Sequence, residues 1–458
     1  MRPRRLRFIV QAVIVVATFA PTLPDFDSRT CAGGESEIGA DDLDSMSPGD
    51  LLWLAREANR AGQYAEAARH ARAVTRRPGL GPDLLGPAWM NVFFAAHRTG
   101  DRDAAAAALR SFDESAARLA ADDSTVMEMA ELKATLGLGG AVAHRAAPAP
   151  PEGDGFWQSA NPAALGLDVG AIGEHLALAR ASGADGVLVA YRGKVISEWY
   201  SPRYRTPMGT MSSAKSITGL LAGLLVADGK LGVDDRVSRF VPGWAEGRRG
   251  RVTVRHLLTM SSGLSRTTVP AQSVGFAADK NGHVVALEPS HEPGSRWDYS
   301  NEGVQLLSPI LEKAAGVPLQ DYARDRLFRP LGMDETQLHL DARGHAWTYA
   351  DADTTLRDFA RLGELMRNKG KWRGRQVLPE SWVDASTRPC PLNPSYGYLW
   401  WLSDDPKGFA ARGYLDTNCY VFPGLELVVA RMQSRPYLFA TESYDPKALA
   451  LCKRIVRK

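Results

Sequence analysis

"GTMSSAKSITGLLAGLLVADG", residues 209–229, decides how this chain is read. After Ser212 the apolar residues Ile217, Leu220, Leu221, Leu224 and Leu225 recur at helical spacing, and Asp228-Gly229 ends the run. Ser212 therefore stands at a helix start, with Lys215 one turn later on the same face. Side chains at i and i+3 can touch. A lysine in so apolar a surround is a cost for a structural role and a requirement for a base. A serine hydroxyl is a weak nucleophile until a base takes its proton. An amine with an ordinary pKa of about 10.4 becomes that base only if burial pushes the value down. The helix start adds unpaired N–H groups and positive potential, which favour developing negative charge. The competing reading is a serine cap beside a snorkelling lysine. Ser-x-x-Lys occurs once in the chain.

A second signal is "PGSRWDYSNEG", residues 293–303. Tyr299 and Asn301 bracket Ser300 in a Tyr-x-Asn triplet that also occurs once. A tyrosine hydroxyl between serine and leaving group can relay a proton, and an amide two residues on can hold both Lys215 and a substrate carbonyl. Taken alone, the triplet reads as a turn before the helix "NEGVQLLSPILEKAAG".

Outward from these motifs, "VGAIGEHLALARASG" reads as a helix and "GVLVAYRGKVISEWY" as a β-hairpin broken at Arg192-Gly193-Lys194. Near the C-terminus "YGYLWWLS", "GFAARGY" and "TNCYVFPGLELVVARM" read as three strands, and "DPKALALCKRIVRK" as a closing amphipathic helix. Strands at both ends with helices between predict an α/β protein of α+β type: an antiparallel sheet with an inserted helical lobe. Residues 47–138 read as a small all-α domain of bulky helix, Gly-polar turn and Ala-rich helix, with turns at Gly62 and Gly100. That scheme resembles tetratricopeptide units; a plain helical bundle accounts for it as well. "GGAVAHRAAPAPPEGDG", 139–155, is a Pro- and Ala-rich linker, and the main domain runs over 156–458.

The 458 residues call for two or three domains. A net charge of +3, with no basic stretch interleaved with aromatics, excludes a nucleic-acid partner. The opening "MRPRRLR" is basic and "FIVQAVIVVATFA" nearly all apolar, so residues 1–24 read as a signal peptide or membrane anchor. The expected location is periplasmic, secreted or anchored to the outer face of the membrane. Cys31, Cys390, Cys419 and Cys452 form no Cys-x-x-Cys pair, and their disulfide pairing stays open. The nine histidines include no His-Glu-x-x-His, so no metal and no cofactor is expected.

The stretches that carry a family resemblance run over nearly all of 156–458 and include "MSSAKSITGLLAGLLVADGKLGVDDRVSRFVPGW", "VTVRHLLTMSSGL", "PGSRWDYSNEGVQLLSPILEKAAG", "LFRPLGMDET", "DFARLGELMRNKGKWRGRQVLPESWV" and "YGYLWWL". In letters, order and spacing they resemble the serine β-lactamase and penicillin-binding-protein superfamily, in its class C-related branch. Within it they are most similar to 6-aminohexanoate-dimer hydrolases and related esterases. The resemblance implies a β-lactamase/D-alanyl-peptidase-like fold, with Ser212 as the acylated nucleophile, Lys215 as its base and Tyr299 as proton relay. Asn301 is a further substrate-binding candidate.

The family's third motif, Lys-Thr-Gly in β-lactamases, falls on "ARGYLDTNCYVFP". Gly413, Tyr414 and Leu415 fit a Gly-x-x-Gly-Gln form in which Asp416 and Thr417 replace the last two residues. The resemblance makes Tyr414, Asp416 and Thr417 candidates for substrate binding, with Tyr414 or Thr417 offering an oxyanion N–H. No lysine or arginine occupies the carboxylate-binding place.

The leading expectation is thus an exported serine hydrolase acting on small-molecule esters or amides. The alternatives are a β-lactamase or penicillin-binding D-alanyl peptidase, and an inactive ligand-binding member whose helical domain binds a protein or peptide partner. No Gly-x-Ser-x-Gly elbow occurs. His256 reads as structural and Trp400-Trp401 as core and sheet surface. Asp351 and Asp353 read as caps of the helix that follows them.

Overall fold

The computed structural model describes residues 155–265, 273–275, 277–434 and 443–456, most of 43–117 and scattered positions from 126 to 133. The expected leader, Cys31 and nearly all of the expected linker lie outside the described residues. The chain divides into two compact units: Met1–Arg145 with Pro436–Phe439, and Ala146–Arg435 with Ala440–Lys458.

In the smaller unit α1 (Pro48–Arg60) and α2 (Tyr64–Thr75) form one helix pair, and α3 (Pro82–Thr99) and α4 (Arg102–Ala116) a second. Gly62 (φ 76°) and Gly100 (φ 77°) make the left-handed turns within each pair, a conformation that costs glycine little. Asp101 caps α4 by accepting from Ala104 N at 3.0 Å. Ala55, Phe93, Ala108 and Phe112 share the core. Asn59 Nδ2 donates to Asn91 Oδ1 at 3.0 Å, a buried polar link between α1 and α3.

The larger unit is built on strands β1 (Gln158–Ser159), β2 (Gly186–Tyr191), β3 (Lys194–Tyr200), β4 (Met208–Gly209), β5 (Gln337–Leu338), β6 (Ala352–Thr354), β7 (Lys371–Trp372), β8 (Arg375–Gln376), β9 (Trp401–Asp404), β10 (Lys407–Arg412), β11 (Asn418–Phe422) and β12 (Leu427–Met432). Seven of them form the main sheet in the order β1-β3-β2-β12-β11-β10-β9. Its pairs are antiparallel except β1 with β3. The β2–β3 hairpin turns at Arg192 (φ 53°) and Gly193 (φ 74°), as two-residue turns require. β12 pairs with β2 in the middle of the sheet, so residues 201–400 are an insertion between β3 and β9.

Both faces are covered. On one side α5 (Val169–Ala181) and the C-terminal helix share a core with Val187, Val189, Tyr420 and Val429. On the other, a helix over Leu356–Arg367 packs on β11 and β12. A Cβ at Gly363 of that helix would lie 2.6 Å from Cys419 Sγ, so the helix rides closer than any other residue would allow. Cys390, Cys419 and Cys452 are buried thiols. α6 (Ala214–Ala227) is enclosed along residues 214–225. The indole Nε1 of Trp382 donates to Gly219 O at 3.1 Å.

The structure differs from the sequence reading at four places. Of "YGYLWWLS" only Trp401–Ser403 is strand, in β9, because the chain turns at Leu399, which is left-handed at φ 60°. "TNCYVFPGLELVVARM" is two strands, because Pro423 and Gly424 turn the chain between β11 and β12. "NEGVQLLSPILEKAAG" is two helices, α7 (Asn301–Gln305) and α8 (Leu307–Ala315), meeting at Leu306. Pro309 has no N–H to give the Gln305 carbonyl, which explains the break. The helix α9 (Leu356–Arg367) is capped by Thr355, which accepts from Asp358 N at 3.1 Å, and not by Asp351 or Asp353. The last helix, α10, spans Asp445–Ile455.

His175 on α5 is fully buried, with Nε2 2.7 Å from the Tyr444 hydroxyl. Burial, helped by the Arg431 charge, pulls its pKa from 6.5 down to about 4. Between those two values the unfolded chain takes up a proton that the folded chain refuses, so stability falls as pH drops through this window. The full loss is about 3 kcal/mol. Denaturant unfolding of the wild type should give a lower stability at pH 5 than at pH 7, and His175→Gln should shrink the difference. An identical difference in both proteins would assign the loss to other groups.

Candidate active site

Ser212 lies in a single 3₁₀ turn, Met211–Ser213, that runs into α6. Met211 has φ 52°, a left-handed conformation that costs a non-glycine residue about 1–3 kcal/mol and persists only where its surroundings hold it. Lys215, on the first turn of α6, brings its Nζ 3.1 Å from Ser212 Oγ. The same nitrogen donates to Asn301 Oδ1 at 2.8 Å and to Tyr349 O at 2.5 Å. An ammonium has three donors, and here are three acceptors for them. Ser212 is 6% and Lys215 2% exposed, so both lie away from bulk water.

Asn301 is the first residue of α7. Ser300 caps that helix by accepting from Gly303 N at 2.9 Å, which turns the preceding Tyr299 toward α6. The Tyr299 ring lies under Lys215, with Nζ 4.8 Å from its centroid. Trp401 stacks on the Tyr299 ring at 6.0 Å. Trp297 lies edge-on to Trp401 at 6.1 Å. Trp401 is therefore part of the site's aromatic wall, while Trp400 is core, edge-on to Phe409. Burial, with Asp351 and Glu302 nearby, raises the Tyr349 phenol well above its usual range, so Tyr349 stays protonated; besides its carbonyl it offers Lys215 its ring face, with the centroid 5.8 Å from Nζ.

A strap of residues 348–354 runs antiparallel beside the nucleophile segment. β6 pairs with β4 through Met208–Thr354 and Gly209–Asp353. Thr210 N donates to Ala352 O at 3.0 Å, and Ala352 N to Thr210 Oγ1 at 2.9 Å. Thr218 Oγ1 donates to Thr348 O at 2.7 Å. Asp353 itself pairs with His339 at 2.8 Å. Sequence reasoning missed this strap; it has no local motif and acts through main-chain pairing.

The turn after β10 closes the site's other side. A Cβ at Gly413 would lie 2.7 Å from Thr210 O and 3.0 Å from Met211 Cβ, so only glycine lets the turn reach the nucleophile segment. Ser213 Oγ donates to Thr417 O at 2.6 Å and ties the two together. Leu415 (φ 63°) and Asp416 (φ 54°) are both left-handed. The fully buried Arg431 donates to their carbonyls, at 2.5 Å and 3.0 Å. Thr417 commits its amide to Tyr414 O and its hydroxyl to Gln433 O. Asp416 is half-buried; on the α10 side of the sheet burial raises the Tyr420 and Tyr444 phenols well above their usual range, and the Asp416 charge adds to it. Arg412, just before Gly413, is ion-paired with Asp445. His256 is structural, its Nδ1 accepting from Thr253 N at 3.2 Å in a capping box.

The basic companion of the serine here is a lysine one helical turn away rather than a histidine, which sets the site among Ser-x-x-Lys proteins. The chain belongs to the Beta-lactamase family, whose profile matches residues 171–451. It is 36% identical to Penicillin-binding protein 4* of Bacillus subtilis (strain 168) over 141 residues, 28% of this chain and 30% of that protein. It is 22% identical to 6-aminohexanoate-dimer hydrolase of Paenarthrobacter ureafaciens over 288 residues, 55% of this chain and 73% of that one. The matched stretch thus spans under a third of the first relative and about three quarters of the second. A family VIII carboxylesterase shares the fold, with a TM-score of 0.51 at 16% identity over 63% of this chain and 98% of its own. No helix among the described residues is long and apolar enough to cross a membrane.

Proposed function

We propose that this protein is an exported serine hydrolase that cleaves small neutral or cationic esters or amides through an acyl-enzyme on Ser212. The observation that carries the reading is Lys215 Nζ held at 3.1 Å from Ser212 Oγ and 2.8 Å from Asn301 Oδ1. Ser212 Oγ attacks the substrate carbonyl and its proton passes to Lys215. The three acceptors around Nζ favour the ammonium that results, so the cage stabilises the state after proton transfer. The carbonyl oxygen, now negative, takes the N–H of Ser212 at the helix start and that of Tyr414, since Thr417 uses its own within the turn. Tyr299 hands a proton to the leaving group as the bond to it breaks, and Lys215 replaces that proton. Water then attacks the acyl group by the reverse relay, releasing the acid and restoring Ser212 and Lys215.

The names of the relatives point to ester and amide chemistry, and the aromatic wall of Trp297, Tyr299 and Trp401 suits an uncharged acyl or leaving group. The penicillin-binding relative keeps a second reading open, a D-alanyl peptidase or β-lactamase. The stretch at 411–417 speaks against it, because its one cation, Arg412, is already paired with Asp445. Export rests on the basic-then-apolar opening of the chain. The paired helices α1–α4 suit a tetratricopeptide-like platform for a protein or peptide.

Steady-state hydrolysis of matched neutral, cationic and anionic nitrophenyl esters, with a penicillin alongside, tests the proposal. Neutral and cationic esters should turn over well, and the anionic ester and the penicillin at least about tenfold more slowly, the scale of one unpaired charge contact of about 1.4 kcal/mol. Efficient penicillin hydrolysis would favour the second reading. No turnover of any substrate would favour an inactive ligand-binding member.

A further inference from the structure

Asp351 stands in the middle of the strap, 1% exposed, 139 positions from the serine it adjoins. Its Oδ1 accepts from Met211 N at 2.9 Å. Its own N–H donates to Met211 O at 3.0 Å. One residue thus grips both main-chain polar groups of Met211, the residue that leads into Ser212. Both partners are left-handed, Met211 at φ 52° and Asp351 at φ 46°, so neither end of the clasp is a relaxed backbone. A Cβ at Gly209 would lie 2.8 Å from Asp351 Oδ1, so the carboxylate fills the space that glycine leaves open. The second oxygen, Oδ2, is buried and makes no hydrogen bond. A carboxylate placed only to satisfy the strap would use both oxygens; this one is aimed at a single amide.

We propose that Asp351 is a positioning residue for the nucleophile: it holds Met211 in its left-handed conformation and so keeps Ser212 Oγ beside Lys215 and the Ser212 N–H turned into the site. This rests on the serine-hydrolase reading above. The carboxylate touches neither substrate nor the reacting atoms. It acts through Met211, whose N–H its Oδ1 accepts and whose carbonyl its own N–H fills. Loss of the clasp lets the 211–213 turn relax, and a displacement near 1 Å at a nucleophile costs about 10²-fold in rate.

The test compares wild type, Asp351→Ala, Asp351→Asn and Gly209→Ala by three measurements. These are kcat and KM on a neutral nitrophenyl ester, the rate of fluorophosphonate labelling, and amide exchange of the peptide spanning 208–213. Asp351→Ala should lower kcat about 10²-fold, leave KM within a few-fold, slow labelling in parallel and quicken exchange at Met211. Asp351→Asn keeps an oxygen acceptor and should stay within about tenfold of wild type in kcat. Gly209→Ala, which pushes on the carboxylate from the other side, should reproduce the alanine phenotype and serves if Asp351→Ala does not fold. Wild-type kcat with wild-type exchange in a folded Asp351→Ala or Gly209→Ala protein would overturn the proposal. So would an Asn variant as impaired as the Ala variant. A wild type that neither turns over nor labels would overturn the hydrolase reading and this proposal with it, whereas an exchange change in that setting would still locate the clasp.

Discussion

Ser212→Ala should reduce turnover of every accepted ester or amide by about 10⁴-fold or more, to the residual rate that binding and oxyanion donors support alone. The change removes one oxygen from a 3₁₀ turn whose main-chain bonds are otherwise intact, and Lys215 keeps Asn301 Oδ1 and Tyr349 O as acceptors. Folding should therefore survive, and thermal unfolding would verify it. The neighbouring Ser213 is the natural control. Its hydroxyl donates to Thr417 O and has no part in the lysine cage. Ser213→Ala should thus loosen the 413–417 turn and cost far less activity. Equal activity in wild type and Ser212→Ala would move the nucleophile elsewhere.

Lys215→Met should lower kcat by about 10²–10⁴-fold, the range for a lost general base. Methionine keeps the length and removes the charge. It also leaves Asn301 Oδ1 and Tyr349 O without this donor, and a buried acceptor left unsatisfied costs about 1–3 kcal/mol. The variant should therefore melt earlier than wild type. Kinetics belong at a temperature where circular dichroism shows both proteins folded. A folded Lys215→Met protein with wild-type kcat would remove the lysine from the chemistry.

The parts of this site that a sequence exposes are those built from short spacings. Ser212 and Lys215 meet because a helix brings i and i+3 together, and the apolar run after them announces that helix. Tyr299 and Asn301 are legible as a triplet, although what places them beside Lys215 is the insertion of 201–400 between β3 and β9. The hairpin at Arg192-Gly193 was readable because its two turn residues carry the chemistry of the turn. The strap at 348–354 was not, because main-chain pairing to 208–211 leaves no pattern in side-chain types. Asp351 and Asp353 show the same limit. Two acidic residues just before a helix look like caps, yet Thr355 does the capping and Asp351 faces the nucleophile turn. Arg431 also escaped notice. An arginine inside a strand reads as an exposed position, and only the sheet order shows it fully buried beneath the 413–417 turn. Pro423 and Pro309 are legible breakers, and each ends an element that the apolar pattern alone runs through it.

The most direct test of the account is to locate the covalent adduct. The full chain is treated with a fluorophosphonate, digested, and the peptides are sequenced by mass spectrometry. The account predicts one stoichiometric adduct, on Ser212, that hydrolysable esters compete away and that Ser212→Ala lacks. An adduct on another residue, or labelling that persists in Ser212→Ala, would contradict it.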